Sequence, residues 1–280
     1  MKRRVMVLLV CAAAVLGGVA VTGCDKVGEV LSNLGLSDDD IVKGLRTALD
    51  SSANTSAMSA SKVNGFLMNE LIKIAAPPEV VQLKEALDGV AANPAAKVAF
   101  MALTKGLSPE AFLGDKMGDL VESINRAAEE GSKKAYPIFE KAITDMTITD
   151  GLRILQGGET SATDYLKEKT YRALVEAFAE PVRKVVDNGE VSRLWKPVAE
   201  KYNLIGPTVS GVSLVGGYTF VGPKKVNPDL SEYITEQAMT GLFKLVAQEE
   251  AAIRKNPKKY ASDIIQRVFG SPEAKTALNE

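Results

Sequence analysis

The chain has 280 residues, with 34 basic and 35 acidic side chains for a formal net charge of −1, two cysteines and no histidine. A balanced charge without a basic block argues against nucleic acid as a partner. The missing histidine removes Ser-His-Asp and Cys-His catalysis, together with the commonest general base near neutral pH.

The chain opens Met1-Lys2-Arg3-Arg4 and then runs apolar from Val5 to Val21, the layout of a secretory signal peptide. A transmembrane anchor is the alternative, but the run is near the lower limit of about 20 residues. It also contains Gly17 and Gly18 and has no basic flank on its far side. Val21-Thr22-Gly23-Cys24 resembles a bacterial lipobox, with an aliphatic residue, two small ones and a Cys. The resemblance implies cleavage of residues 1–23, a thioether-linked lipid on Cys24 and acylation of its new amino terminus. Cys11 leaves with the leader, so no internal disulfide is possible in what remains. A free thiol at Cys24 is the alternative reading. One cysteine without histidine argues against a zinc site, and no other metal or cofactor is implied. Loss of Lys2, Arg3 and Arg4 moves the net charge from −1 to −4. Asp25, directly after the lipidated Cys, favours the inner over the outer membrane by resemblance to enterobacterial sorting, with the protein facing the periplasm.

Residues 24–36 read as a lipidated tether, in which Val27, Val30, Leu31 and Leu34 have helical spacing. Residues 37–280 read as one multi-helix domain, so the expected fold class is all-α. Ser37 with Asp40, Thr147 with Asp150, Ser161 with Asp164 and Asp229 with Glu232 are starts of capping-box type. Ser108-Pro109, Pro77-Pro78 and Ser271-Pro272 are starts with Pro in the first turn. The Ser/Ala/Asn-rich stretch 51–64 is expected as a loop, "ANPAAK" as a helix break, and Pro181 as the end or kink of a long helix. One segment departs from the helical pattern: "GVSLVGGYTFVG" (211–222) has two β-rich runs around Gly216-Gly217, a two-residue hairpin signal. The hairpin insertion is expected over about residues 209–221.

"GFLMNELIKI" (65–74), "NRAAEE" (125–130) and "PIFEKAITDMTITDGLRILQGGETSATDYLKEKT" (137–170) together resemble a bacterial family known as domain of unknown function 4197. "DLSEYITEQAMTGLFKLVAQEEAAIRKNP" (229–257) and "DIIQRVFG" (263–270) extend the resemblance over most of residues 38–270. It implies an exported helical protein, often a lipoprotein, and supplies no activity, substrate or catalytic residue to carry over.

Chemistry has few places to reside. "ILQGGETSATDY" invites a phosphate-loop reading, but it lacks the Lys and the spacing of a Walker motif. A left-handed cap at Gly157 or Gly158 and a helix start at Thr160 or Ser161 account for it. Asn125, Arg126, Glu129, Asp145, Glu249 and Arg254 are the candidates for a polar cleft between helices, where one carboxylate would serve as general acid. Ion pairs on helix faces are the competing account, with Glu250 and Arg254 in the favourable i,i+4 order. Phe139, Ile143, Leu242, Leu245 and Val246 read as core, with an apolar ligand groove as the alternative. Val212, Leu214, Tyr218 and Phe220 are the candidate contact residues of the hairpin, because a hairpin can bury only one face against its own helices.

The residues therefore predict a lipid-anchored, periplasm-facing protein that binds or scaffolds rather than catalyses. Its expected partners are the membrane, through Cys24, and either an envelope protein or a second copy. A carboxylate-dependent hydrolase of envelope material and a carrier of an apolar ligand are the rivals.

Overall fold

A computed structural model describes residues 37–111, 116–260 and 262–270. The leader, Cys24, the tether and the Ser271-Pro272 start lie outside the described residues. Within them the protein is all-α with one small antiparallel hairpin.

Helix α1 (Asp38–Ser61) opens on a capping box: Asp40 N–H donates to Ser37 Oγ at 3.1 Å, and Ser37 N–H donates back to Asp40 Oδ2 at 3.2 Å. Its buried stripe begins with Ile41, Leu45 and Leu49 and continues through Ser52, Ala53, Ser56, Ala57 and Ala60. The stretch expected as a loop is thus the second half of this helix, to Ser61. Low helix propensity is overridden because small side chains let neighbouring helices approach closely. Ser52 Oγ also returns its hydrogen bond to the Ala48 carbonyl at 3.0 Å.

Helices α2 (Pro78–Ala91) and α3 (Pro94–Leu103) start and break where the prolines place them, and Asn93 caps α3 by accepting from Ala95 and Ala96. A 3-10 turn at Pro109–Ala111 precedes α4 (Met117–Ser132), α5 (Ala135–Thr144) and α6 (Ile148–Gln156). Thr147 and Asp150 form the expected capping box of α6.

Helix α7 (Ser161–Asn188) runs through Pro181 instead of ending there. Phe178, Val182 and Val186 on either side of the proline are buried, and α4 and α10 flank the helix, so packing holds the segment that a lone proline would break. Short α8 (Glu190–Leu194) and α9 (Lys196–Val209) lead into the hairpin, and α10 (Ser231–Lys255) and α11 (Asp263–Gly270) close the fold. Helix α10 runs antiparallel to α1. Its Gly241 touches Phe66 and Ile72 just past the end of α1, while Glu250, Ile253 and Arg254 lie by Leu45–Ser52. Buried side chains from both halves of the chain form one contiguous core.

The hairpin pairs Ser213 with Thr219 and Leu214 with Tyr218. That register leaves Val215-Gly216-Gly217 as a three-residue loop rather than the expected two, with φ of +88° at Gly216 and +76° at Gly217. Neither Gly157 nor Gly158 is left-handed: Gly157 has φ −78° and ψ 174°. Gly157 is required for space instead, since a Cβ there would lie 2.4 Å from Ser161 Cβ.

Candidate functional site

The six residues expected to share one cleft fall into separate places. Asn125, Arg126 and Glu129 come together on α4, and all three face the segment that follows α1. Glu129 is buried, and its Oε1 accepts from the backbone N–H groups of Phe66 and Leu67, both at 3.2 Å. Its Oε2 accepts from Arg126 at 2.7 Å, and Arg126 continues to Asn64 Oδ1 and Glu122. The bond to Glu129, first among its causes, holds the Arg126 guanidinium even more firmly protonated than usual. Asn125, also buried, pairs with Ile74 as a neighbouring strand would, accepting from its N–H and donating to its carbonyl, each at 2.8 Å. Gly65 has no alternative here, because a Cβ would stand 2.3 Å from the Ser59 carbonyl oxygen. These polar groups therefore fasten residues 64–74 to α4 and satisfy backbone groups that secondary structure leaves free.

Arg254 belongs to a second knot, and its carboxylate is Glu250 rather than Glu249. Glu250 Oε1 accepts from Ala162 N–H at 3.1 Å, and Oε2 from Thr163 N–H and Thr163 Oγ1, both at 2.8 Å. Arg254 Nε and Nη2 close the pair at 3.0 and 2.8 Å. A carboxylate from α10 thus serves as the N-terminal cap of α7, where the helix dipole also favours negative charge. Ser161 does not cap its own helix. Its hydroxyl donates to the Ile154 carbonyl at 2.6 Å, with Gly158 O at 2.8 Å, and accepts from Arg254 at 3.1 Å. It therefore ties the end of α6 to the start of α7. A cavity of about 20 Å³ lies under this knot between Leu45, Ala48, Leu49 and Phe269, with room for about one water molecule.

Glu249 stands one residue aside, where Tyr260 Oη donates to it at 3.5 Å. Asp145 ends α5, exposed and paired with Lys141 one turn earlier. Helical spacing in the sequence marks Glu250 and Arg254 as a pair. It does not say that α7 begins opposite them, and that contact is what buries the carboxylate.

The four hairpin candidates point into the protein. Leu214 and Phe220 are buried, and Val212 and Tyr218 are half-buried. Phe220 packs on Phe100 of α3 and Tyr202 of α9, with ring centroids at 5.7 and 6.4 Å. Tyr218 Oη donates to the Ala86 carbonyl at 2.9 Å. The alternation along both strands is as expected, but the aromatic face serves the core. Ser213, Val215, Thr219 and Val221 form the outward face.

An open groove follows the antiparallel pair α7 and α10. One half, of about 530 Å³, lies between Asp164, Lys167 and Tyr171 and the Glu236–Ala247 stretch of α10. The other, of about 510 Å³, runs from Tyr171 to Asp187 against Asp229–Glu236. Among the described residues, no group of three or more Cys, Asp or Glu is placed to hold a metal ion, and no helix is long and apolar enough to cross a membrane.

A family model described as "Protein of unknown function (DUF4197)" matches residues 35–109 and 101–270. No curated protein and no solved structure matches the chain.

Proposed function

Because the chain belongs to the DUF4197 family of proteins of unknown function, we propose that it acts as a lipid-anchored component facing the periplasm, binding or scaffolding rather than catalysing. The observation that carries the non-catalytic part is the state of Glu129 and Glu250, the two buried carboxylates among the described residues. Each accepts two backbone N–H groups and an arginine, so its lone pairs are committed to the fold. A general acid needs a carboxyl group free to exchange a proton with substrate. The anchoring part rests on the basic and apolar leader and on Val21-Thr22-Gly23-Cys24. The groove along α7 and α10 offers a binding surface about 30 Å long, from the rise per residue between Lys167 and Asp187.

Membrane fractionation tests the anchor. The native protein is expected in the membrane fraction and a Cys24→Ser variant in the soluble fraction, both with the same melting temperature. Mass spectrometry that finds Cys24 unmodified, or residues 1–23 still attached, overturns the anchored reading.

A further inference from the structure

Helices α7 and α10 each turn one stripe toward the open groove between them. Lys167, Tyr171, Val175, Ala179 and Val182 recur every three or four residues along α7, as do Glu232, Glu236, Met239, Phe243 and Ala247 along α10. Tyr171 and Glu236 line both halves, so the groove is continuous. Val182, Met239 and Phe243 are buried and form its floor, and Tyr171, 39% exposed, stands at its middle. The rim is uneven in charge. One half is lined by Asp187, Asp229, Glu232 and Glu236, with Arg183 as the one cation of that lining among the described residues. All four carboxylates are exposed, and Asp187, Glu232 and Glu236 form no ion pair among the described residues. Asp229 is engaged by the Ser231 N–H at 2.9 Å, and Lys196 adds a weaker attraction from outside the lining. The other half balances Asp164 and Glu236 with Lys167 and Lys244.

We infer that this groove seats an amphipathic helix of a partner protein, with the apolar stripe of that helix on Val182, Met239 and Phe243 and its lysines or arginines over Asp187, Glu232 and Glu236. Two antiparallel helices leave a furrow that a third helix fills by interdigitation, through anchors at i, i+3, i+4 and i+7. The groove length of about 30 Å suits about 20 helical residues. Glu232 and Glu236 stand one turn apart on one wall and Asp187 on the other, so they match successive basic side chains. No three carboxylates among the described residues are placed to share a metal ion instead. Tyr171 supplies an aromatic anchor of the kind that carries binding energy near the centre of protein interfaces. An anionic lipid surface would be repelled by the same rim, and an acyl chain gains most from a site that encloses it. The inference rests on the groove being the binding surface of the proposed function and is independent of Cys24.

The test mixes the full chain with two synthetic helical peptides of about 20 residues that share one leucine–alanine face. The polar face of one carries lysine and arginine, and that of the other carries glutamate. Fluorescence anisotropy should show the cationic peptide binding about tenfold or more tighter than the acidic one at low salt. An Asp187→Lys/Glu232→Lys/Glu236→Lys variant with unchanged melting temperature should reverse that order. Should this variant melt early, Asp187→Asn/Glu232→Gln/Glu236→Gln is expected to lose the discrimination and gives the same reading. A benzophenone amino acid in place of Tyr171 should crosslink to the peptide that binds. Equal affinities for the two peptides, or an order that the variants do not change, overturn the charge matching. The benzophenone protein is then irradiated in native membranes, and peptide mapping should find a lysine- or arginine-bearing amphipathic helix of another protein. Crosslinks to an acidic or uncharged segment, to lipid or to a second copy of the chain overturn the inference and leave the groove as a binding surface. Crosslinks that form from benzophenone at exposed positions elsewhere but not at position 171 overturn the groove itself and the inference with it.

Discussion

Glu250 accepts from Ala162, Thr163 and Arg254, so its removal strands two helix N–H groups and a guanidinium that is mostly enclosed. Breaking a buried pair by deleting one partner costs about 3–5 kcal/mol. We expect Glu250→Ala to fall in that range by urea denaturation, and Glu249→Ala to stay within about 0.5 kcal/mol, as for other surface positions. Ser161→Ala should cost about 1 kcal/mol through its lost bond to the Ile154 carbonyl, not through loss of a helix cap. Because Arg254 also bonds Ser161 Oγ, the Ser161 and Glu250 substitutions share one network. Their double variant should be less destabilised than the sum of the singles. Additive costs would show that the two residues act separately.

At the level of elements, the start of α6 reports its own protonation. Thr147 holds the Asp150 carboxyl below its ordinary value of 3.8, chiefly by its side-chain hydrogen bond and then by its backbone one. A depressed folded value stabilises the protein above the unfolded value, and the contribution is lost as pH falls below 3.8 and through the folded value. Thermal melts from roughly pH 5 to pH 2 should therefore fall less steeply for Asp150→Asn than for the native chain. The hairpin is the second such element. With Phe220 fully buried against Phe100 and Tyr202, Phe220→Ala should cost about 3–5 kcal/mol. The outward Val221→Ser should stay within about 0.5 kcal/mol. Replacing residues 209–221 with a Gly/Ser linker removes Val209, Leu214 and Phe220 from the core, so the melting midpoint should drop sharply in a calorimetric scan. An unchanged midpoint would mean the hairpin is an appendage.

Across the whole molecule, local pattern and tertiary contact divide the account between them. Sequence periodicity, the capping boxes at Ser37 and Thr147 and the breaks at Pro78 and Pro94 were enough for an all-α fold with one hairpin, because each acts within about one turn of chain. Strand alternation likewise sorted Val212, Leu214, Tyr218 and Phe220 from Ser213, Val215, Thr219 and Val221. It could not say which face would meet α3 and α9, since both faces carry apolar residues. Residues 51–64 read as a loop because serine and alanine look featureless one at a time, yet residues 51–61 are helical. Only the neighbouring helices turn them into a helical packing stripe. Asn125, Arg126 and Glu129 share a helix, so the sequence could group them, but their partners stand about 50 to 60 residues earlier in the chain. Glu250 meets its helix start across 88 residues. Spacing along one helix is set by its own geometry, whereas which two helices meet is set by how all the apolar stripes close into one core. For that reason composition and short-range pattern determined the class of fold and the absence of histidine chemistry. Tertiary packing alone decided that the buried carboxylates cap backbone and that the aromatic face of the hairpin serves the core.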